Sequence, residues 1–88
     1  MEGTVIRSVA GHDKNRFYVI VSAQAGFVWI ADGKERKLEK PKRKNPRHVA
    51  FTTTVLDLAV ITSNRKLRTL LAPFNAVAGG PTDGMEGT

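Results

Sequence analysis

Cationic side chains are concentrated in one short stretch of this chain, residues 34–47, which we call the basic segment. It holds 8 of the 14 lysines and arginines and 2 of the 8 acidic residues, so it accounts for the whole formal net charge of +6. Closely spaced like charges repel one another until a partner neutralises them, and the basic segment therefore predicts a polyanionic partner. Its cations are Lys34, Arg36, Lys37, Lys40, Lys42, Arg43, Lys44 and Arg47.

Residue types that do covalent chemistry give little support for an enzyme. His12 is adjacent to Asp13 in a predicted loop, and His48 has no neighbouring acid or nucleophile signature. The chain contains no cysteine, which excludes disulfides and thiolate metal sites. Phosphate loops, paired carboxylates and metal-ligand spacings are also missing from the sequence. We therefore expect a protein that is not an enzyme and that uses no cofactor and no metal.

Strand-like runs fill the part of the chain that leads to the basic segment. Residues 4–10, 17–23 and 27–31 are rich in branched and aromatic side chains, which favour strands. Asp32 and Gly33 match a two-residue hairpin turn that needs positive φ, so the next strand is expected to begin at Lys34. Short antiparallel strands in a small chain favour a curled sheet or barrel, because an open sheet would expose its edges.

A strand through the basic segment would sort its cations by face. Side chains alternate across a strand, so Lys34, Lys40 and Lys44 would share one nearly pure cationic face with their even-numbered neighbours. Pro41 and Pro46 place the segment at a sheet edge or in a loop, where no ladder hydrogen bond is lost. The alternative without a ligand is a solvent-exposed edge strand, whose lysines prevent a strand of another chain from pairing with it. We favour a polyanion because the local charge exceeds that need.

The second half of the chain reads as a closing strand and a helix. Residues 52–61 fit either a strand or a helix, and the first part is expected to pair into the sheet. Thr62, Ser63 and Asn64 offer capping side chains, and Pro73 predicts that regular helix ends by Ala72. The apolar helical face consists of Leu67, Leu70, Leu71 and Phe74. We expect one domain over residues 1–75 and a flexible tail over 76–88.

Aromatic residues on the strands have two possible roles. Phe27, Trp29 and Tyr18 have the residue type that stacks on bases in RNA-binding sheets. Their apolar strand neighbours instead favour packing in the core, which is the role we predict for them.

Two stretches of the chain resemble a known family. Residues 9–21, Val-Ala-Gly-His-Asp-Lys-Asn-Arg-Phe-Tyr-Val-Ile-Val, look like the KOW motif, in which a strand ends at a glycine and a short loop leads to an aliphatic strand. Residues 32–49 are similar to the basic part of bacterial KOW-domain RNA-binding proteins, relatives of the eukaryotic-type large-subunit ribosomal protein fourteen. The resemblance covers roughly residues 4–49. It implies a small SH3-like β-barrel and a ribosomal or other structured-RNA partner.

The loop positions that match the motif have expected roles. Gly11, Asn15, Asp32 and Gly33 are expected to form turns, while Lys14, Arg16 and His48 are secondary candidates for RNA contact. The family prefers glycine where Asn15 stands. Asparagine is the non-glycine residue best able to adopt the left-handed conformation, so the turn is expected to form at a modest cost.

The sequence thus predicts a mainly β fold, an SH3-like barrel of KOW type with one short C-terminal helix. We expect a cytoplasmic monomer that binds ribosomal RNA, with ribosomal proteins as further partners. A membrane partner is not expected, because no stretch approaches the ~20 apolar residues of a spanning helix. Two alternatives stay open at this point: a KOW module that contacts a protein such as the transcription machinery, and a non-specific nucleic-acid binder.

Overall fold

The polypeptide forms five strands followed by one long helix within residues 1–79, which are the residues that this computed structural model describes. The strands are β1 (Thr4–Ser8), β2 (Phe17–Gln24), β3 (Phe27–Ala31), β4 (Lys42–Lys44) and β5 (Val49–Val55). Single turns of 3₁₀ helix span Pro46–His48 and Leu58–Val60, and the helix α1 spans Asn64–Gly79.

The strands make one antiparallel sheet in the order β4-β3-β2-β1-β5. In a flat sheet, the two edge strands would lie about 19 Å apart, at ~4.8 Å per neighbour. Here they are consecutive in the chain, and the short linker between them includes a 3₁₀ turn that advances only ~2 Å per residue. The sheet therefore curls, and the ammonium of Lys44 on β4 donates to the carbonyl of Ala10, just after β1, at 3.1 Å. The predicted fold class is confirmed: a mainly β, small barrel-like fold with a C-terminal helix.

Side-chain alternation along the central strands gives the sheet an apolar layer on each face. Ile6, Tyr18, Ile20, Val28, Ile30 and Val49 form the inner cluster, enclosed by the curl. Val5, Val19 and Ala31 are cross-strand neighbours on the opposite face, where they pack with Ile61, Leu67 and Leu71. The predicted helical face is confirmed, since Leu70 and Phe74 also pack against this second cluster.

The helix begins as predicted but does not end where Pro73 suggested. Ser63 caps it, because the Ser63 hydroxyl accepts the backbone N–H of Lys66 at 3.1 Å. The prediction that helix ends by Ala72 was wrong, because tertiary contacts hold the turn that follows the proline. Phe74 packs on Phe17 with ring centroids 5.4 Å apart.

The residue after Phe74 adds a second anchor. The Asn75 side chain accepts the backbone N–H of Phe17 at 2.8 Å and donates to the Phe17 carbonyl at 3.4 Å. The helix continues through residues 76–79. The rest of the predicted tail lies outside the described residues. Over residues 1–79, α1 is not long and apolar enough to cross a membrane.

Candidate nucleic-acid interface

The basic segment begins on a coiled loop rather than on a strand. The Asp32 carboxylate accepts the backbone N–H groups of Lys34 and Arg36, both at 2.9 Å. The N–H groups of Asp32 and Gly33 both donate to the carbonyl of Arg36. The prediction that a strand begins at Lys34 was wrong, because a side chain captures the N–H groups that a strand ladder would use. The next strand, β4, begins only at Lys42.

The turn residues have the conformations that their types predicted. Gly33 has φ of 80°, and a Cβ at this position would overlap the backbone oxygen of Asn64, so glycine is required. In the earlier loop, Gly11 has φ of 86° and Asn15 has φ of 73°. The left-handed conformation expected of Asn15 is thus confirmed.

The loop between the turn and β4 is fixed against the start of α1. The Asn64 side chain accepts the backbone N–H of Leu38 at 2.8 Å and donates to the Glu39 carboxylate at 2.8 Å. The second of these hydrogen bonds lowers the pKa of Glu39. Leu38 is half-buried against the cluster under the helix. The loop can therefore bury this leucine while Arg36 and Lys40 stay exposed, whereas a regular strand would place all three side chains on one face. Its exposed cations are Lys34, Arg36, Lys37 and Lys40.

The later part of the basic segment divides its cations between the two faces of β4. Lys42 pairs with Ile30 and Lys44 with Val28, residues of the inner cluster, so these two lysines point toward the inside of the curled sheet. Arg43 points outward, and its guanidinium lies 4.7 Å from the centroid of the Phe27 ring. Lys42 and Lys44 therefore share a face opposite Arg43, as side-chain alternation predicted. The predicted cationic face running from Lys34 is wrong, because β4 begins only at Lys42.

Lys44 is buried and cannot serve as an RNA-binding residue. It is 7% exposed, and its ammonium donates to the Asp13 carboxylate at 2.9 Å and to the carbonyl of Ala10 at 3.1 Å. Lys42 is half-buried and lies 3.4 Å from the other oxygen of Asp13. These lysines connect β4 to the loop that follows β1. A count of charges along the sequence therefore overestimates the number of exposed cations.

Asp13 is buried, and its carboxylate pairs with both of these lysines. It also accepts a hydrogen bond from the Ser8 hydroxyl at 2.7 Å. Burial raises the pKa of Asp13, but the hydrogen bonds from Lys44 and Ser8, together with the charges of Lys44 and Lys42, outweigh burial and lower it to about 2. The carboxylate thus remains ionised in the folded protein well below neutral pH.

This depressed pKa predicts acid sensitivity. A carboxyl group with a folded-state pKa of about 2 and an ordinary value of 3.8 stabilises the fold fully above about pH 4. That contribution, roughly 2 kcal/mol, should be lost as the pH falls through about 2. Urea unfolding between pH 2 and 6 measures it, with Asp13→Asn as the comparison. The variant should be less stable at pH 6 and should lose less stability on acidification; parallel pH profiles would contradict this account.

The remaining candidates differ in how free their charges are. Lys14, Arg47 and His48 are exposed. Arg16 is partly engaged, because its guanidinium lies 3.3 Å from Asp32 and 3.9 Å from Glu35.

Three residues beside these candidates have roles that the sequence did not predict. Phe27 and Trp29 are half-buried and lie outside both core clusters, unlike Tyr18, so core packing was the wrong prediction for these two aromatics. Arg68, which sequence reasoning missed, donates to the Gly33 carbonyl at 2.7 Å. The sequence did show that Arg68 follows Leu67, a residue of the apolar helical face, which places Arg68 close to the packed side of α1.

Metal-binding clusters of three or more histidine, aspartate or glutamate side chains do not occur in residues 1–79. No family model matches the chain, and no curated protein matches it either. The KOW resemblance therefore stays a prediction from the residues quoted above.

Proposed function

We propose that the protein binds structured RNA through the exposed cations of the basic segment. The observation that supports this most strongly is that six of these side chains make no ion pair within residues 1–79. They are Lys34, Arg36, Lys37, Lys40, Arg43 and Arg47. An uncompensated group of this size attracts a phosphate backbone, and binding releases the counterions condensed on the nucleic acid.

The acidic residues of the basic segment do little to neutralise these cations. Glu39 accepts a hydrogen bond from Asn64, and Glu35 pairs at 3.9 Å with Arg16, which is outside the basic segment. Both glutamates are exposed to solvent, where ion pairs contribute little. The positive potential of the loop is therefore retained at its surface.

The pairing of Arg43 with Phe27 favours RNA over duplex DNA as the partner. The guanidinium of Arg43 is exposed and stacked on an aromatic ring, and Trp29 is its cross-strand neighbour. Flat guanidinium and aromatic groups bind the faces of unpaired bases, which loops and bulges of structured RNA present and intact duplexes do not. The KOW resemblance further supports a ribosomal RNA, with ribosomal proteins as neighbours and the cytoplasm as the location.

Binding of this kind is expected to depend steeply on salt. If ~5 of the exposed cations contact phosphates, the slope of log affinity against log salt concentration should be about −3.5 to −4.5. Affinity should then fall by roughly two to three orders of magnitude between about 50 and 200 mM salt. Titration of a structured ribosomal RNA fragment, followed by the fluorescence of Trp29, the single tryptophan, measures the slope.

Competition experiments separate the proposed function from its alternatives. In these experiments the ribosomal RNA fragment carries a fluorescent label and is bound to the protein before a competitor is added. A structured RNA with loops should displace it at a much lower concentration than a duplex DNA of equal length. Equal competition by the duplex would indicate a non-specific nucleic-acid binder. A flat salt profile, together with tight capture of a protein and weak binding of both nucleic acids, would contradict the RNA proposal.

A further inference from the structure

A cleft of about 500 Å³ lies beside the basic segment, between the loop after β1, the turn after β3 and the helix α1. Its volume is within the range of small-molecule sites, ~300–1,000 Å³. Four cations and one carboxylate line it: Lys14, Arg16, Lys34, Arg68 and Asp32. Arg68 belongs to α1, so this surface extends beyond the residues proposed above for RNA contact.

The single carboxylate of the cleft is already occupied by protein donors. Asp32 is 2% exposed at its side chain, and one oxygen accepts two backbone N–H groups while the other accepts from Arg16. The amines of Lys14 and Lys34, by contrast, are exposed and make no ion pair with any described residue. The cleft therefore keeps a local excess of positive charge that an anion can neutralise.

Both guanidinium groups of the cleft are held in place, and that of Arg68 has donors left over. Arg68 uses one N–H on the carbonyl of Gly33 at 2.7 Å, out of the five that a guanidinium carries. Arg16 directs one terminal nitrogen at Asp32 and the other at Glu35, and its Nε is buried, so Arg16 holds the wall of the cleft in place and contributes positive charge there. Guanidinium groups fixed in this way are suited to an oxyanion such as phosphate, since little flexibility is lost on binding.

The helix side of the cleft is mainly apolar. Leu71, Ala72 and Ala76 line it, and Asn75, which also lines it, has its amide committed to the backbone of Phe17. Charge thus lies at the loop side of the cleft, where the guanidinium of Arg68 reaches the turn at Gly33, and the rest of the helix side is mainly apolar. A phosphate joined to a sugar and base matches this division.

We propose that this cleft binds one nucleotide unit, with its phosphate against Lys14, Lys34 and Arg68 and its sugar or base against the apolar helix side. The phosphate has two possible sources, a free mononucleotide or a nucleotide of the bound RNA. Only the second source rests on the proposed function.

Titration of the ¹⁵N-labelled full-length protein with AMP, adenosine and inorganic phosphate tests the cleft directly. AMP should shift the amide signals of the residues around the cleft, including Lys14 and Asn75, in a saturable manner. Adenosine lacks the phosphate and should bind at least tenfold more weakly than AMP. The proposal would be overturned if the signal shifts caused by AMP did not saturate, or if they were confined to residues 36–47.

Matched variants assign the binding to particular side chains. Lys14→Gln should weaken AMP binding roughly tenfold, because a charge-assisted hydrogen bond is lost, whereas Lys66→Gln on the exposed surface of α1 should not. Arg68→Gln is paired with Arg65→Gln in the same way. Because the Arg68 side chain also contacts the turn, the thermal midpoint of Arg68→Gln and Arg65→Gln is measured to detect any loss of stability. The side chain of Lys14 makes no such contact, so its variant does not need this check. Equal AMP affinity of Lys14→Gln and Lys66→Gln would overturn the proposal.

RNA titrations of the same variants identify the source of the nucleotide. If RNA is a source, Arg68→Gln should reduce the salt slope of RNA binding by about 0.7, as expected for one lost contact. If AMP binds the cleft but RNA does not bind the protein, the cleft proposal stands and the RNA proposal fails. If RNA binds through the basic segment while AMP leaves the cleft signals unchanged, the cleft proposal alone fails.

Discussion

Replacing Lys44 by methionine is expected to lower the free energy of unfolding by about 3–5 kcal/mol, the usual cost of removing one partner of a buried ion pair. Methionine keeps much of the length of the side chain but leaves Asp13 buried without its closest cation. The carbonyl of Ala10 also loses its contact with the ammonium. Small domains have only about 5–15 kcal/mol of stability, so the loss should be plain in urea unfolding at pH 7.

Exposed and double variants show whether the ion pair is the cause. Lys40→Met changes an exposed loop lysine and should alter stability by less than about 0.5 kcal/mol. Asp13→Asn alone should also be destabilising, and the double variant should lose less than the two single losses combined, because both act on one contact. A loss below about 1 kcal/mol for Lys44→Met, or strictly additive losses, would show that Lys44 is not the structural lysine described here.

Lys44 illustrates where reasoning from the sequence succeeds and where it stops. The first three strands and the apolar face of α1 follow from residue type and periodicity, the curl follows from the need to protect sheet edges, and these predictions were confirmed. Charge counting treats all lysines as equivalent, yet burial depends on register, and the register of β4 opposite Val28 depends on where the preceding loop ends. The end of this loop could not be predicted from the sequence, because the conformation of the loop depends on hydrogen bonds to the side chains of Asp32 and Asn64.

The incorrect helix end has a similar origin. Local preference disfavours helix before a proline and removes one backbone donor. In the folded protein, Phe74 and Asn75 make contacts with Phe17, 57 and 58 residues earlier in the chain, and these contacts hold the turn that follows Pro73. Local rules therefore predicted where α1 begins, which depends on Ser63, but not where it ends, which depends on distant packing.

The cleft was invisible to sequence reasoning for the same reason. Lys14, Lys34 and Arg68 are separated by 20 and 34 positions, and in isolation each reads as an ordinary surface cation. They become one group because the Asp32 turn coils against the start of α1 and Arg68 binds the carbonyl of Gly33. Spatial clustering of this kind follows from loop conformation, which periodicity does not predict.

Replacing Arg36, Lys37 and Lys40 together by glutamine is expected to reduce RNA affinity by about 100-fold at about 100 mM salt, at about 1 kcal/mol for each phosphate contact. All three side chains are exposed and unpaired within the described residues, so folding should be unaffected. The salt slope should become less negative by about 2, because three contacts are removed. Fluorescence titration with the structured RNA measures both quantities, and Lys34 is left unchanged so that the cleft remains intact.

The control for this variant removes the same charge from elsewhere on the surface. Arg7, Arg65 and Lys66 are replaced by glutamine, which lowers the net charge equally while leaving the basic segment untouched. Because Arg7 donates a hydrogen bond to Asn15 at 3.0 Å, the thermal midpoint of this variant is measured as well. Lys44 is kept in both proteins, because its loss would weaken binding by unfolding the chain rather than by removing a phosphate contact. If the two triple variants lose RNA affinity equally, attraction by net charge explains the binding and the basic segment has no special role. A large loss confined to the first variant is the result that the exposed, uncompensated loop predicts.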